Sequence, residues 1–400
     1  MKVGRTIPPA AAPIGFSETL QGLSGILKGE TEVERFRNEL KDVYRVRHAS
    51  LVSSGKAALV LILKALRRLQ PDRDEVLIPA YTCYSVPSAV LHAGLNVRLC
   101  DIDPGTLDFD FKSLPKAIQS CGNRLLAVVP VHLYGLTADV KRIRELVPSK
   151  VFVAEDAAQA MGGFRAPSKP GTQGDAGFFS LGRGKALSSV HGGIVVTDRE
   201  EIAETLDIQV ARLQGCSSVR IAGMFFQALA MLLLLRPGLF WLPKSIPWLR
   251  LGETIFDTAF PIHRISPFQA GLLRHWKDKL DHLNHARLDR IERWQAAFQG
   301  MAEKYLRPIT GFEASLIRLP VKAFNQDLRE RIVAESEKQG LGIMPGYPES
   351  LNRVPFLQGP FFEGPFPGAE ETARTLLTFP IHPFVEERDI QRTTKVLGLV

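Results

Sequence analysis

Between Leu51 and about Thr197, short apolar runs alternate with helical segments, and this alternation restricts the fold more than any other feature of the chain. The runs are Glu75-Val-Leu-Ile-Pro79, Asn96-Val-Arg-Leu-Cys100, Leu125-Leu-Ala-Val-Val129, Val151-Phe-Val-Ala154 and Gly193-Ile-Val-Val196. Strands that alternate with helices predict an α/β fold, with a mostly parallel sheet covered by helices on both faces. The clearest helix is predicted over Gly55 to Leu69. There Ala58, Leu59, Ile62, Leu63, Leu66 and Leu69 recur at helical spacing, and Pro71-Asp72 closes the run. In sheets of this kind the loops at strand ends carry the ligand chemistry.

The pattern breaks at 221–250. Ile221 to Leu235 is mostly apolar, and Arg236-Pro237 and Leu239-Phe-Trp-Leu-Pro243 follow it. A helix of that length reaches about 22 Å, short of the roughly 30 Å hydrocarbon core of a bilayer, so no membrane span is predicted. Ser266 to about Lys304 reads as one long helical stretch of mixed charge. Leu316 to Val400 is a second alternating region, with turns at Pro345-Gly346, Gly359-Pro360 and Gly364-Pro365. A boundary is expected near 250–265, giving a large domain over 1–255 that carries the apolar insert and a smaller C-terminal α+β domain over 256–400. No internal repeat is found.

Composition narrows the class. At 45% hydrophobic and 23% charged over 400 residues, the chain lies in the ordinary globular range, which excludes wholesale disorder and low-complexity architectures. The net charge of +8 is a small excess of 50 Lys+Arg over 42 Asp+Glu. It does not indicate nucleic acid, and it fits an anionic small substrate and an anionic membrane surface equally. Cys83, Cys100, Cys121 and Cys216 form no C-x-x-C pair and have no His at zinc spacing, so no metal site and no disulfide framework are predicted. The first sixteen residues hold Lys2, Arg5 and three prolines and lack the apolar core of a secretory signal, so the chain reads as cytoplasmic.

The chemistry concentrates in Val151 to Thr197. An apolar strand runs into Glu155-Asp156-Ala157-Ala158-Gln159, and Gly174-Asp175 leads through Ser180 to Arg183, Lys185 and Gly192-Gly193. A carboxylate at a strand end can keep a pyridine nitrogen protonated, and a lysine on a neighbouring loop can form a Schiff base; both are the protein's part of pyridoxal phosphate chemistry. The phosphate needs a cradle, and Ser53-Ser54-Gly55-Lys56 opens the first long helix with small residues, where unpaired N–H groups and the helix dipole face an anion.

These segments resemble the DegT/StrS-type sugar aminotransferases in order and nearly throughout the chain: Ser53 to Leu59, Pro79-Ala-Tyr-Thr-Cys83, Glu155 to Ala160, Gly174 to Ser180 with Lys185, Ser266-Pro-Phe-Gln-Ala270 and Leu377 to Pro383. The resemblance implies a fold-type I, pyridoxal phosphate-dependent homodimer that aminates a nucleotide-linked keto sugar, with glutamate as donor, for polysaccharide or glycoconjugate biosynthesis. It implies Lys185 as the Schiff-base lysine and Asp156 as partner of the pyridine nitrogen. Gln159 would neighbour the ring's phenolic oxygen, and Ser54, Gly55, Lys56 and Ser180 would surround the phosphate. Once released by the donor, the Lys185 amine would carry the proton between the donor's α-carbon and C4′ of the cofactor. The family pattern changes at Lys56, at Cys83 in place of a stacking aromatic, at His191, at Ile262 and at Tyr347-Pro-Glu-Ser-Leu-Asn352.

Several positions keep two readings. Lys56 is a solvated side chain or a phosphate ligand, and Arg183 is a surface residue or a bidentate partner for a diphosphate or carboxylate. His191 is a loop or dimer contact or a proton carrier. Tyr81 and Tyr84 are core aromatics or cofactor stackers, and Tyr347 and Asn352 stand in the substrate wall. The stretch around Trp241, Lys244, Trp248 and Arg250 is core, or a membrane-surface anchor. Two rivals to the aminotransferase are a sugar dehydratase of the same fold, whose branch carries His in place of Lys185, and a catalytically silent membrane-associated scaffold.

Overall fold

The computed structural model describes residues 3–162, 169–249, 251, 255–299, 305–309, 315–357 and 364–398, so Arg250 lies outside the described residues. The first region builds a seven-stranded sheet in the order β1-β7-β6-β5-β4-β2-β3. Its strands are β1 (His48–Val52), β2 (Glu75–Pro79), β3 (Asn96–Cys100), β4 (Leu125–Val128), β5 (Phe152–Asp156), β6 (Ala176–Ser180) and β7 (Gly193–Thr197). Pairings β3-β2, β2-β4, β4-β5 and β5-β6 are parallel, and only β7 runs against its neighbours β6 and β1. Strands β2, β4, β5, β6 and β7 are buried along their whole length, as an apolar run covered on both faces must be.

Helices α1 (Phe16–Lys28) and α2 (Glu30–Tyr44) precede the sheet. Helix α3 (Gly55–Leu69) follows β1 and buries Ala58, Leu59, Ile62, Leu63 and Leu66. Then come α4 (Ser85–His92), α5 (Leu114–Cys121), α6 (Val140–Leu146) and α7 (Glu200–Ala211). The apolar insert forms α8 (Ser218–Leu234) and the short α9 (Trp241–Lys244). Among the described residues no helix is long and apolar enough to cross a membrane. The inner face of α8 buries Met224, Ala228 and Met231, while Val219, Phe226 and Leu233 on its outer face are 83%, 67% and 56% exposed.

The stretch expected to be one helix from Ser266 is two, α10 (Pro267–Leu272) and α11 (Trp276–Phe298). The break has a packing cause. Helix α10 lies backbone to backbone on α1, where a Cβ on Gly271 would come within 2.4 Å of Gln21 O. Helix α11 restarts with Trp276 buried edge-on against Phe36 and its indole N–H donating to Glu39 at 2.8 Å. The chain ends in a four-stranded antiparallel sheet, β10-β11-β9-β8, from β8 (Leu306–Pro308), β9 (Leu319–Ala323), β10 (Met344–Pro345) and β11 (Leu376–Phe379). Helices α12 (Gln326–Gln339), α13 (Pro367–Thr375) and α14 (Glu387–Val396) accompany it. The N-terminal arm joins these late elements: Ile7 N–H donates to Gly340 O at 3.0 Å and Arg5 pairs with Asp389 at 2.6 Å.

Candidate active site

Successive residues of a strand point to opposite faces, so Glu155 and Asp156 at the end of β5 serve different regions. Glu155 is completely buried and fully used. Its Oε2 accepts from Gly171 N–H at 2.8 Å and lies 2.9 Å from His132 Nε2, and its Oε1 accepts from Gln173 and Gly174 N–H, each at 2.5 Å. Ala138 N–H donates to His132 Nδ1 at 3.1 Å, which places the ring proton on Nε2, facing the carboxylate. Asp156 is buried with one donor only: Ala158 N–H reaches Oδ1 at 2.9 Å, and among the described residues nothing donates to Oδ2. Burial pushes the Asp156 carboxyl above its ordinary pKa, while the Ala158 N–H, then the Lys185 charge and His132 pull it back.

One strand over, β6 ends at Ser180, which pairs with Gly193. Ser54 caps α3, its Oγ accepting from Ala57 N–H at 3.1 Å, and Gly55 opens the helix directly on Ser180. A Cβ on Gly55 would stand 2.9 Å from Ser180 Cβ and 3.2 Å from its Oγ, so only glycine lets the helix terminus approach this hydroxyl so closely. The first N–H groups of a helix have no intrahelical acceptor, so those of Gly55 and Lys56 are available beside Ser180 Oγ to hold an anion. The loop after β6 turns back: Gly182 N–H donates to Ser180 Oγ at 3.4 Å, and a Cβ on Gly182 would be 3.9 Å from Lys185 Cγ. A phosphate cradle, a buried carboxylate with one oxygen to spare and a lysine on the loop between them fit pyridoxal phosphate.

The other expected residues are placed less uniformly. Lys56 turns its side chain away, with Nζ 3.7 Å from Asp257 and 4.1 Å from the Phe260 ring centre, which leaves its backbone N–H as the group beside Ser180. Arg183 is exposed on the Lys185 loop. His191 Nε2 lies 3.2 Å from Gln227 of α8; desolvation and then the Arg183 charge lower its pKa. Gln159 meets Tyr347, its Nε2 donating to the phenol oxygen at 3.3 Å. Tyr347 completes an aromatic cluster with Tyr81 at 5.8 Å and Tyr134 at 6.0 Å. Gly346 makes room for it, since a Cβ there would fall 2.1 Å from the Tyr81 hydroxyl, which accepts from Tyr347 N–H at 2.7 Å. Tyr84 is core at the head of α4, and Asn352 is tied to Glu370 of α13 at 3.1 Å.

Residues away from the strand ends hold the site together. Arg287 of α11, 2% exposed, donates to Ala186 O at 2.8 Å and to Asn284 Oδ1 at 3.1 Å, and Asn284 donates to Gly162 O at 3.3 Å. One helix thus clamps both cofactor-side loops, and burial takes the Arg287 pKa down to about 10. Ser266 and Gln269 form a reciprocal cap on α10, and Gln269 Nε2 also donates to His191 O at 2.7 Å. Between Lys185 and Gly192, Val190 has φ +73° and is buried among Ile14, Met224, Ala228, Met231, Phe268 and Leu272. Ser266 and Gln269 belong to a motif visible in the sequence, whereas Arg287, Asn284 and Val190 carry no such signal.

The DegT/DnrJ/EryC1/StrS aminotransferase family model matches residues 16–397. The spore coat polysaccharide biosynthesis protein SpsC of Bacillus subtilis is 28% identical over 389 residues, covering 94% of this chain and 90% of that protein. Helicobacter pylori PseC, an aminotransferase of pseudaminic acid biosynthesis, superimposes with a TM-score of 0.77 at 16% identity over 98% of both chains. The E. coli GDP-4-keto-6-deoxy-D-mannose-3-dehydratase superimposes with a TM-score of 0.76 at 20% identity, covering 99% of this chain and 100% of that one. Matched from α1 to α14, with a doubly covered sheet whose strand ends suit this cofactor, the chain belongs to the DegT/DnrJ/EryC1/StrS aminotransferase family and is a pyridoxal phosphate-dependent aminotransferase.

Proposed function

We propose that the enzyme transfers an amino group, from glutamate, to the keto carbon of a nucleotide-linked sugar in polysaccharide or glycoconjugate synthesis. The observation that carries this reading is the convergence of Asp156, Ser180, Lys185 and the α3 terminus at neighbouring strand ends. The backbone N–H groups of Gly55 and Lys56, with the Ser180 hydroxyl, hold the phosphate. Asp156 Oδ2 holds the proton on the ring nitrogen, and Gln159 stands beside the phenolic oxygen. When bound, pyridoxal phosphate supplies the aldehyde and the electron-accepting ring. The Lys185 amine would hold the cofactor between turnovers and, once released by the donor, would serve as the base that carries the proton for each half of the transfer. Lysine at 185, where the dehydratase branch carries histidine, favours amino transfer over dehydration.

Borohydride reduction and peptide mapping test the assignment. The pyridoxyl label is expected on Lys185, and a label on Lys56 or Lys169 overturns it. A screen of nucleotide-linked keto sugars with glutamate, followed by 2-oxoglutarate release, identifies the acceptor. A colourless purified protein that takes up no pyridoxal phosphate favours the silent scaffold.

We further place the enzyme in the cytoplasm as a homodimer, divided into two domains near residue 255. The outer face of α8 then meets either the membrane surface or a partner subunit near the mouth of the site. Phe225 lies against Phe268 and serves the fold, so the informative variant is Val219→Ser with Phe226→Ser and Leu233→Ser. Reduced co-sedimentation of this variant with anionic vesicles supports the membrane version, and equal partitioning removes it.

A further inference from the structure

Arg318 lies immediately before β9, and the backbone sets it against the tyrosine cluster. Ile317 N–H donates to Tyr134 O at 3.0 Å, and a Cβ on Gly135 would come 2.2 Å from Ser315 O. Ile317 and Leu319 on either side are buried, and Arg318 between them is half-buried. Its charge acts on the phenols of Tyr134 and Tyr347. Tyr347 is the residue that Gln159 reaches at 3.3 Å, so this guanidinium borders the same space as the cofactor-side motif. Among the described residues it has neither an acidic partner nor a hydrogen bond.

The phenols do not neutralise it, because burial raises their pKa and keeps them protonated. A second cation, Arg329 of α12, acts on Tyr81, and its Nε is buried without a partner. A cation partly withdrawn from water with no counter-charge costs free energy, and an arriving anion recovers it.

We propose that Arg318 recognises an oxyanion of the substrates, either the carboxylate of the amino donor or a phosphate of the nucleotide. Its planar fork takes two oxygens of such a group in parallel, which a lysine cannot do. The inference rests on the amino-transfer reading but is tested without turnover.

Calorimetric titration of the holoenzyme with glutarate, and separately with UDP, dTDP and GDP, is compared for wild type, Arg318→Lys and Arg318→Leu. Arg318→Leu is expected to weaken one probe class by about 10- to 100-fold, the range for a charge-assisted hydrogen bond, and to leave the other within about twofold. Arg318→Lys, which keeps the charge and loses the fork, is expected to fall between. Loss of glutarate assigns the donor carboxylate, and loss of the nucleoside diphosphates assigns a phosphate. Unchanged affinity for both classes, equal loss of both, or no binding of either by wild type overturns the proposal. Borohydride labelling of Lys185 in the same samples reports on the transferase reading independently of the titrations.

Discussion

Glu155 and Asp156 are consecutive buried carboxylates on β5, and the regions they serve differ in how many donors reach them. On the Glu155 side, three backbone N–H groups and His132 satisfy both oxygens, and the acid gathers the loop 171–174. On the Asp156 side, one oxygen takes Ala158 N–H and the other waits. A region that positions a loop spends all its acceptors internally. A region that binds a ligand keeps some in reserve and accepts the desolvation this entails.

The comparison breaks most visibly in turnover. Asp156→Asn is expected to retain part of its cofactor yet to lose the half-reaction with glutamate by orders of magnitude, because an amide cannot keep the ring nitrogen protonated. Unchanged rates in stopped-flow measurements would reduce Asp156 to a cap for Ala158. Glu155→Ala should act on the fold instead. Removing an acceptor shared by four donors is expected to cost about 3–5 kcal/mol, read as the shift in urea unfolding midpoint times the slope.

A third test uses pH. In the cofactor-free protein burial raises the Asp156 pKa, so the folded state binds more protons than the unfolded state between the ordinary carboxyl value and the raised one. Wild-type stability therefore falls as pH rises through that window, and levels off above it. Asp156→Asn lacks this loss, so its stability relative to wild type should climb by about 1.4 kcal/mol for every pH unit that the window spans. A flat difference from pH 4 to pH 8 would contradict the uncompensated burial. The smallest effect is expected from Tyr347→Phe, which removes the hydroxyl that Gln159 reaches at 3.3 Å and should cost about 0.5–1.5 kcal/mol in unfolding experiments.

Legibility in the sequence follows a similar division. Strands β2 and β3 and helix α3 lie where their apolar patterns predict, because each buries a continuous or periodic surface between turn residues. Asp156 and Lys185 could be picked out as a carboxylate at a strand end and a lysine on a neighbouring loop, whereas Gln159 and Ser180 were implied by the family resemblance. His132 could not, since it meets Glu155 across 23 residues of chain. Nor could Arg287 and Arg318, whose significance lies in having no acid nearby among the described residues, a property of three-dimensional neighbours. The split of α10 from α11 was hidden for the same reason, being set by the close approach of Gly271 to another helix.

Val190 has a consequence for the order in which the molecule is made. A β-branched residue at positive φ costs on the order of 1–3 kcal/mol and persists only where its surroundings impose it. Those surroundings are Ile14, met early in the chain, and side chains of α8 and α10 that reach to Leu272. Asp156, Gln159, Ser180 and Lys185 have all been made once β7 has. At synthesis rates of roughly 5–20 residues per second, the nascent chain then spends roughly 4–15 s with these four residues made and the lysine loop still without its mould. The shape of the lysine loop therefore waits on the translation of α10, whose Phe268 and Leu272 complete the packing around Val190.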